Sequence, residues 1–154
     1  MSVFIGTHEN KVDRKGRVSV PATFRAALQG QAFHGIIAFR SYRVPAIEAC
    51  GMDFMQRLND SVSDLDFFSD THDDLATTIF ADSHQLSFDG DGRIMMPADL
   101  AEHANITDRA AFVGKGPIFQ IWEPERLMEH KAAARDRARS QGLSLPLRQD
   151  GGGR

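Results

Sequence analysis

The chain has 154 residues, 42% of them apolar, with one cysteine, Cys50, and a formal net charge of −3. That length supplies a core for one domain or two small halves. A single cysteine excludes an internal disulfide framework and fits a reducing compartment; no apolar run approaches the ~20 residues of a membrane span; and the acidic balance excludes a generally basic nucleic-acid coat.

Val3-Phe4-Ile5 reads as the start of a strand that Gly6 interrupts, and His8 to Val12 continues extended to a turn. The turn opens the stretch Asp13-Arg14-Lys15-Gly16-Arg17-Val18-Ser19-Val20-Pro21-Ala22. Asp13 can accept from backbone N–H groups two residues on and so start a tight turn, and Gly16 supplies a positive φ. Arg17 then stands at the start of a strand. Val18 and Val20 alternate with Ser19 as in a half-buried strand, and Pro21 suits the first turn of a helix. Phe24, Ala27 and Leu28 keep helical spacing until Gly30 stops it. Gly35 to Phe39 is an apolar run that reads as a buried strand, and Arg40 to Arg43 as a turn.

From Pro45 the pattern predicts a helix through about Asn59, with Gly51 marking a break between a short strand or turn and that helix. Ser61 to Asp70 reads as a polar connector. Its apolar residues Leu65, Phe67 and Phe68 sit among acids and need burial, against the body of the protein or a neighbouring subunit. Thr71 to Ala81 reads as a helix or a helix-to-strand passage, and His84 to Phe88 as a strand.

A second copy of the motif follows: Asp89-Gly90-Asp91-Gly92-Arg93-Ile94-Met95-Met96-Pro97-Ala98. The offset is constant, 89 − 13 = 76 and 97 − 21 = 76, and it also carries His8 onto His84. Five identities in ten positions mark an internal duplication. A hairpin turn alone explains Asp and Gly, but not an arginine placed identically in both copies. After Pro97 a short helix runs through Leu100, Ala101 and Ala104, ending near Asn105. Ala111 to Gly114 matches the Gly35 strand, Gly114 to Pro117 is a turn, and Ile118 to Trp122 is a strand with Trp122 in the core. Pro124 and Glu125 open a last helix bearing Leu127, Met128 and Lys131, and the composition beyond Gly142 reads as a disordered tail.

Charge is segregated. Lys11, Arg14, Lys15, Arg17 and Arg25 cluster around the first motif, the middle carries Asp60, Asp64, Asp66, Asp70, Asp73, Asp74 and Asp82, and the tail is basic again. Such segregation can present a basic face on an acidic body. Catalytic readings fail on inspection. His72-Asp73 lacks companion ligands. Asp89-x-Asp91-Gly92 places its glycine at calcium-loop position 4 rather than 6, with Leu100 where a carboxylate is needed. Gly114-Lys115-Gly116 lacks the spacing of a phosphate-binding loop. Cys50, His8 and His84 read as structural. No enzyme activity, cofactor or metal site is expected.

The paired Asp-x-x-Gly-Arg motifs make the chain resemble the MraZ family of the SpoVT-AbrB superfamily, over about residues 1–131. The resemblance implies a mainly β fold with flanking helices: two swapped-hairpin halves interleaved into a double-split β-barrel pseudo-dimer. It implies a first half at 1–60, a connector at 61–76, a second half at 77–131 and a basic disordered tail at 132–154. It also implies a cytoplasmic, nucleoid-associated transcriptional regulator. The expected assembly is a ring-shaped homo-oligomer, an octamer or larger, that engages short repeats in the double-stranded promoter DNA of its own division and cell-wall gene cluster. Arginine can donate two parallel bonds to guanine or clamp a phosphate, and a two-stranded ribbon fits the major groove. On this reading Arg17 carries most of the recognition. Arg14 and Lys15 contact phosphate or bases, Arg93 is the second-half counterpart, and Asp13, Gly16, Asp89 and Gly92 shape the turns. The alternative is a non-DNA oligomeric scaffold or an antitoxin-like interaction protein.

Overall fold

The run Ile36-Ile37-Ala38-Phe39 is buried on both faces, and the strand that contains it explains why. In the computed structural model, which describes residues 2–150, this strand lies inside a six-stranded antiparallel sheet. The strands are β1 (Thr7–Lys11), β3 (Gly35–Arg40), β4 (Ile47–Cys50), β5 (His84–Ser87), β7 (Arg109–Gly114) and β8 (Phe119–Trp122), in the order β1-β7-β8-β4-β3-β5. Two short strands, β2 (Arg17–Ser19) and β6 (Arg93–Met95), form a separate two-stranded ribbon.

Successive side chains of a strand point to opposite faces, so one sheet can serve two cores. On one face Ile36, Ala38, Ile47, Ala49, Phe112 and Ile121 pack with Val18, Val20, Ile94 and Met96 from the ribbon and its flanks. Phe24 and Leu28 join them from α1 (Ala22–Ala27) and its cap, Leu100 and Ala104 from α4 (Ala98–Ala104). On the other face Ile37, Phe39 and Cys50 pack with Met55 of α2 (Met52–Ser63). Burial of Cys50 pushes its thiol up to about 12, so at neutral pH it behaves as a small apolar side chain.

The repeat governs the strand pairing. If β1 to β4 are matched with β5 to β8, the sheet order reads the same from either edge. Four of the six strand pairings join the two copies: β1 with β7, β2 with β6, β3 with β5 and β4 with β8, and His8 and His84 sit on the two edge strands; β3 with β4 and β7 with β8 stay within a copy.

The protein is thus mostly sheet with flanking helices, as expected, and Trp122 is buried as expected. Elsewhere the local pattern is overridden. The helix expected from Pro45 starts only at Met52, because Ile47 to Cys50 is claimed as a strand by β3 and β8 on its two sides. Gly51 is the junction, where a Cβ would lie 2.6 Å from Gln31 Oε1. Of Val3 to Ile5 only Phe4 makes a bridge, to Gly116. The connector expected at 61–76 is helical at both ends: α2 extends through Ser63, and α3 (Asp70–Ala76) starts after the turn of residues 64–69. A π-helical turn, Thr77–Ala81, then leads toward β5.

The chain divides after Pro124 into two compact units. The last helix, α5 (Pro124–Ser140), extends nine residues into the stretch from 132 that was expected to be a tail. The final glycines, 151–153, lie outside the described residues.

Candidate nucleic-acid interface

The two motifs fold into the same turn, built the same way from the same residues. Asp13 Oδ1 accepts from the backbone N–H of Lys15 at 2.9 Å and of Arg17 at 2.8 Å, and Arg17 Nε donates to Asp13 Oδ2 at 2.7 Å. Asp89 Oδ1 accepts from Asp91 N and Arg93 N, both at 2.9 Å, and Arg93 Nε donates to Asp89 Oδ2 at 3.0 Å. Gly16 has φ +86° and Gly92 φ +75°, the left-handed region that glycine enters without a Cβ penalty.

Both turns meet at the β2–β6 ribbon. Each glycine carbonyl accepts a bond from the opposite copy: Met96 N donates to Gly16 O at 2.8 Å, and Val20 N to Gly92 O at 3.1 Å. In the ribbon Arg17 faces Met95, Val18 faces Ile94 and Ser19 faces Arg93. Residues directly opposite in a ladder share a face. Val18 and Ile94 point into the core, so Arg17, Met95, Ser19 and Arg93 share the outward one. The two arginines stand at diagonal corners, about 7 Å apart along the strands. Arg14 and Lys15 are exposed on the first turn, and their side chains bond to no other described residue.

The arginines differ in what remains available. Arg17 is held through Nε alone, which leaves its two terminal nitrogens without a hydrogen-bond partner among the described residues. Arg93 is held through Nε and also gives Nη2 to Asp91 Oδ2 at 3.1 Å. Asp91 therefore occupies part of the donor edge with which Arg93 would read a base or clamp a phosphate.

Two contributors were not legible in the motif. Arg25, grouped by sequence with the first motif, belongs spatially to the second. Its Nε donates to Val20 O at 3.0 Å, and its guanidinium covers Gly92 so closely that a Cβ there would lie 2.5 Å from Cζ. Only the crossing of the two copies at the ribbon places it there. Met95 is 52% exposed on the outward face. The alternation with Ile94 and Met96 was its one sequence signal, since the first copy has a serine at that place.

The Arg17 N–H bonded to Asp13 holds the Asp13 carboxyl below its ordinary value of 3.8, and the Arg93 N–H does the same for Asp89. Because the folded value is the lower one, the stabilisation from these carboxylates is complete above about 3.8 and is lost as pH falls through the folded value. Carboxyl NMR titration should give midpoints below 3.8 for both residues, with the turn amides shifting in step. Midpoints at the ordinary value would show that the turns do not hold their carboxylates in solution.

The model of the family described as "MraZ protein, putative antitoxin-like" matches residues 3–42 and 79–139, which include both turns. A protein of Rickettsia bellii named transcriptional regulator MraZ is 45% identical over 146 residues, covering 94% of this chain and 97% of its own. One of the same name from Gluconacetobacter diazotrophicus is 46% identical over 155 residues, covering 99% and 98%. A third, from Rickettsia akari, is 45% identical over 145 residues, covering 94% and 97%. With both motifs inside the matched segments and the likeness running nearly end to end, the chain belongs to the MraZ family.

Proposed function

We propose that the chain is a transcriptional regulator, not an enzyme, which binds double-stranded DNA through the outward face of the β2–β6 ribbon and its two turns. The observation that carries this reading is the pair of equivalent Asp-x-x-Gly-Arg turns held side by side, with Arg17 on the outward face of the ribbon and its terminal nitrogens without a partner among the described residues. A ribbon of this kind fits a major groove, where arginine pairs with guanine O6 and N7. Arg14 and Lys15 supply phosphate contacts beside it. Met95 offers an apolar surface to a thymine methyl group.

The finer architecture belongs to the same reading. The palindromic strand order and the pairings between copies support a double-split β-barrel pseudo-dimer of two swapped-hairpin halves, 1–60 and 77–131. A few cations on one face bind DNA weakly and with strong salt dependence. A ring-shaped homo-oligomer, octamer or larger, would present many such faces to short promoter repeats and raise the effective concentration steeply. Its place is then the cytoplasm, on the nucleoid, and its target the promoter of the division and cell-wall gene cluster that contains its own gene. The family description as antitoxin-like favours a second reading, a non-DNA interaction protein.

Footprinting on the DNA upstream of its own gene, at two salt concentrations and against scrambled DNA, separates the two. Protected repeats support the regulator, and no protection above scrambled DNA rejects it. Met95→Ser should lower discrimination between operator and scrambled DNA several-fold while leaving scrambled-DNA affinity unchanged. Gly16→Val should strain the first turn by at least ~1 kcal/mol, and its DNA affinity should fall more than its thermal stability. Unchanged affinity in folded Gly16→Val would remove this turn from the interface.

A further inference from the structure

The hairpin of α2 and α3 ends in a hydrogen-bonded tip that the chain leaves bare. Phe67 is 70% exposed and Phe68 90% exposed. Their rings pack edge to face at 5.2 Å, and Phe67 also lies 5.0 Å from the His72 ring. The backbone beneath them is fixed. Phe68 N donates to Asp66 Oδ1 at 3.2 Å, Ser69 N to Asp66 O at 3.0 Å, and His72 N to the capping Ser69 Oγ at 3.1 Å. Two aromatic rings are thus presented to water on a hydrogen-bonded turn, so docking them orders little additional backbone.

The same chain carries a cavity of matching size. Between α2, the π-helical turn and the sheet lies a space of about 140 Å³ walled by Phe39, Cys50, Phe54, Leu58, Ile79 and Ile118. An apolar cavity of about 150 Å³ is large enough to take a benzene ring. Tyr42, also in its wall, is 65% exposed, so the cavity reaches the surface. The chain cannot fill this cavity with its own tip. Leu58 is in the wall, α2 runs on five residues beyond it, and Phe68 follows after that helix has ended, still nearly fully exposed.

Charged groups surround both surfaces. The tip is flanked by exposed Asp64, Asp66 and Asp70. Beside the cavity stand Arg43, next to Tyr42, and Arg57, whose guanidinium lies 5.5 Å from the Phe54 ring centre. Two acids also act on Cys50 in the wall, Asp53 and Glu48, the latter accepting a bond from Gln120 at 3.0 Å.

We propose that the Phe67–Phe68 tip of one copy docks into the Phe39–Cys50 cavity of a second copy. Tip and cavity are different surfaces, so the contact is head to tail and repeats around a closed ring when the rotation allows. This inference rests on the oligomeric reading given above and names the surface that makes it.

Sedimentation velocity tests it on the full-length chain and three variants: Phe68→Ser, the pair Phe67→Ala with Phe68→Ala, and Leu58→Lys at the cavity wall. The tip residues are exposed, so the tip variants should keep the wild-type circular dichroism and melting temperature. All three should sediment as single chains where the wild type is a large oligomer. Mixing the double tip variant with Leu58→Lys leaves one intact tip and one intact cavity, and should give a species of two chains and nothing larger. A double tip variant that keeps the wild-type mass overturns the proposal, as does a mixture that stays monomeric. Dissociation by Leu58→Lys alone means another surface fills the cavity, and overturns it too. A wild type that is itself a single chain removes this proposal and the ring together, and leaves DNA binding to be judged by the footprint.

Discussion

Replacing Arg17 by alanine should weaken operator binding by roughly tenfold or more per engaged subunit, about 1.4 kcal/mol. Its guanidinium is oriented by the Nε bond to Asp13 but not consumed by it, since both terminal nitrogens remain for DNA. Loss of a bidentate base contact typically costs about 1–3 kcal/mol of discrimination, and engagement of several repeats by one assembly multiplies the loss. Arg93→Ala should cost less, because Asp91 already holds Nη2 of Arg93. Asp91→Lys frees that nitrogen and reverses a charge, and should strengthen binding with little regard to sequence. Affinities of the three variants for operator and scrambled DNA at two salt concentrations decide the matter. If Arg93→Ala is the more damaging substitution, the second turn is the main reading head, with Arg25 as its additional cation.

Phe119→Ala should have the largest effect on stability, about 3–5 kcal/mol. Phe119 is fully buried on β8. Its ring lies 4.9 Å from Phe4, 4.9 Å from Phe24 and 6.2 Å from Phe112. It thereby joins the N-terminal segment, the helix that carries Arg25, and both copies of the repeat. Its removal leaves a cavity whose neighbouring rings are held by a strand, a helix and a bridge, so they can collapse into it only in part. Urea unfolding should show a lower midpoint with an unchanged slope. A loss below 1 kcal/mol would mean that the aromatic cluster is far more adaptable than its packing indicates.

The turns were legible because Asp, Gly and Arg act within five residues of chain. Asp13 and Gly16 carry enough local chemistry to define their own geometry, and the second copy confirmed the pattern. The buried strand at Gly35 to Phe39 was legible for a similar reason, as an apolar run too short for a helix. Ile47 to Cys50 was harder, because its spacing satisfies a helix as well as a strand, and only β3 and β8 on its flanks decide between them. Arg25 shows the limit most clearly. Its neighbours in sequence belong to the first turn and its neighbour in space is Gly92, and no local pattern records that the copies cross. Phe67 and Phe68 were expected to be covered, and a single chain leaves them in water.

The pairing of β1 with β7, β3 with β5 and β4 with β8 also constrains synthesis. β1 has no ladder partner until β7 is made, about a hundred residues later, and β4 lacks one of its two until β8 follows. Such distant contacts form slowly. While the ribosome is still translating the second copy, the first presents unpaired strand edges and an uncovered apolar face, the state in which nascent chains aggregate. The acidic stretch from Asp60 to Asp74 is translated within that interval. Like charge of this density opposes association between chains.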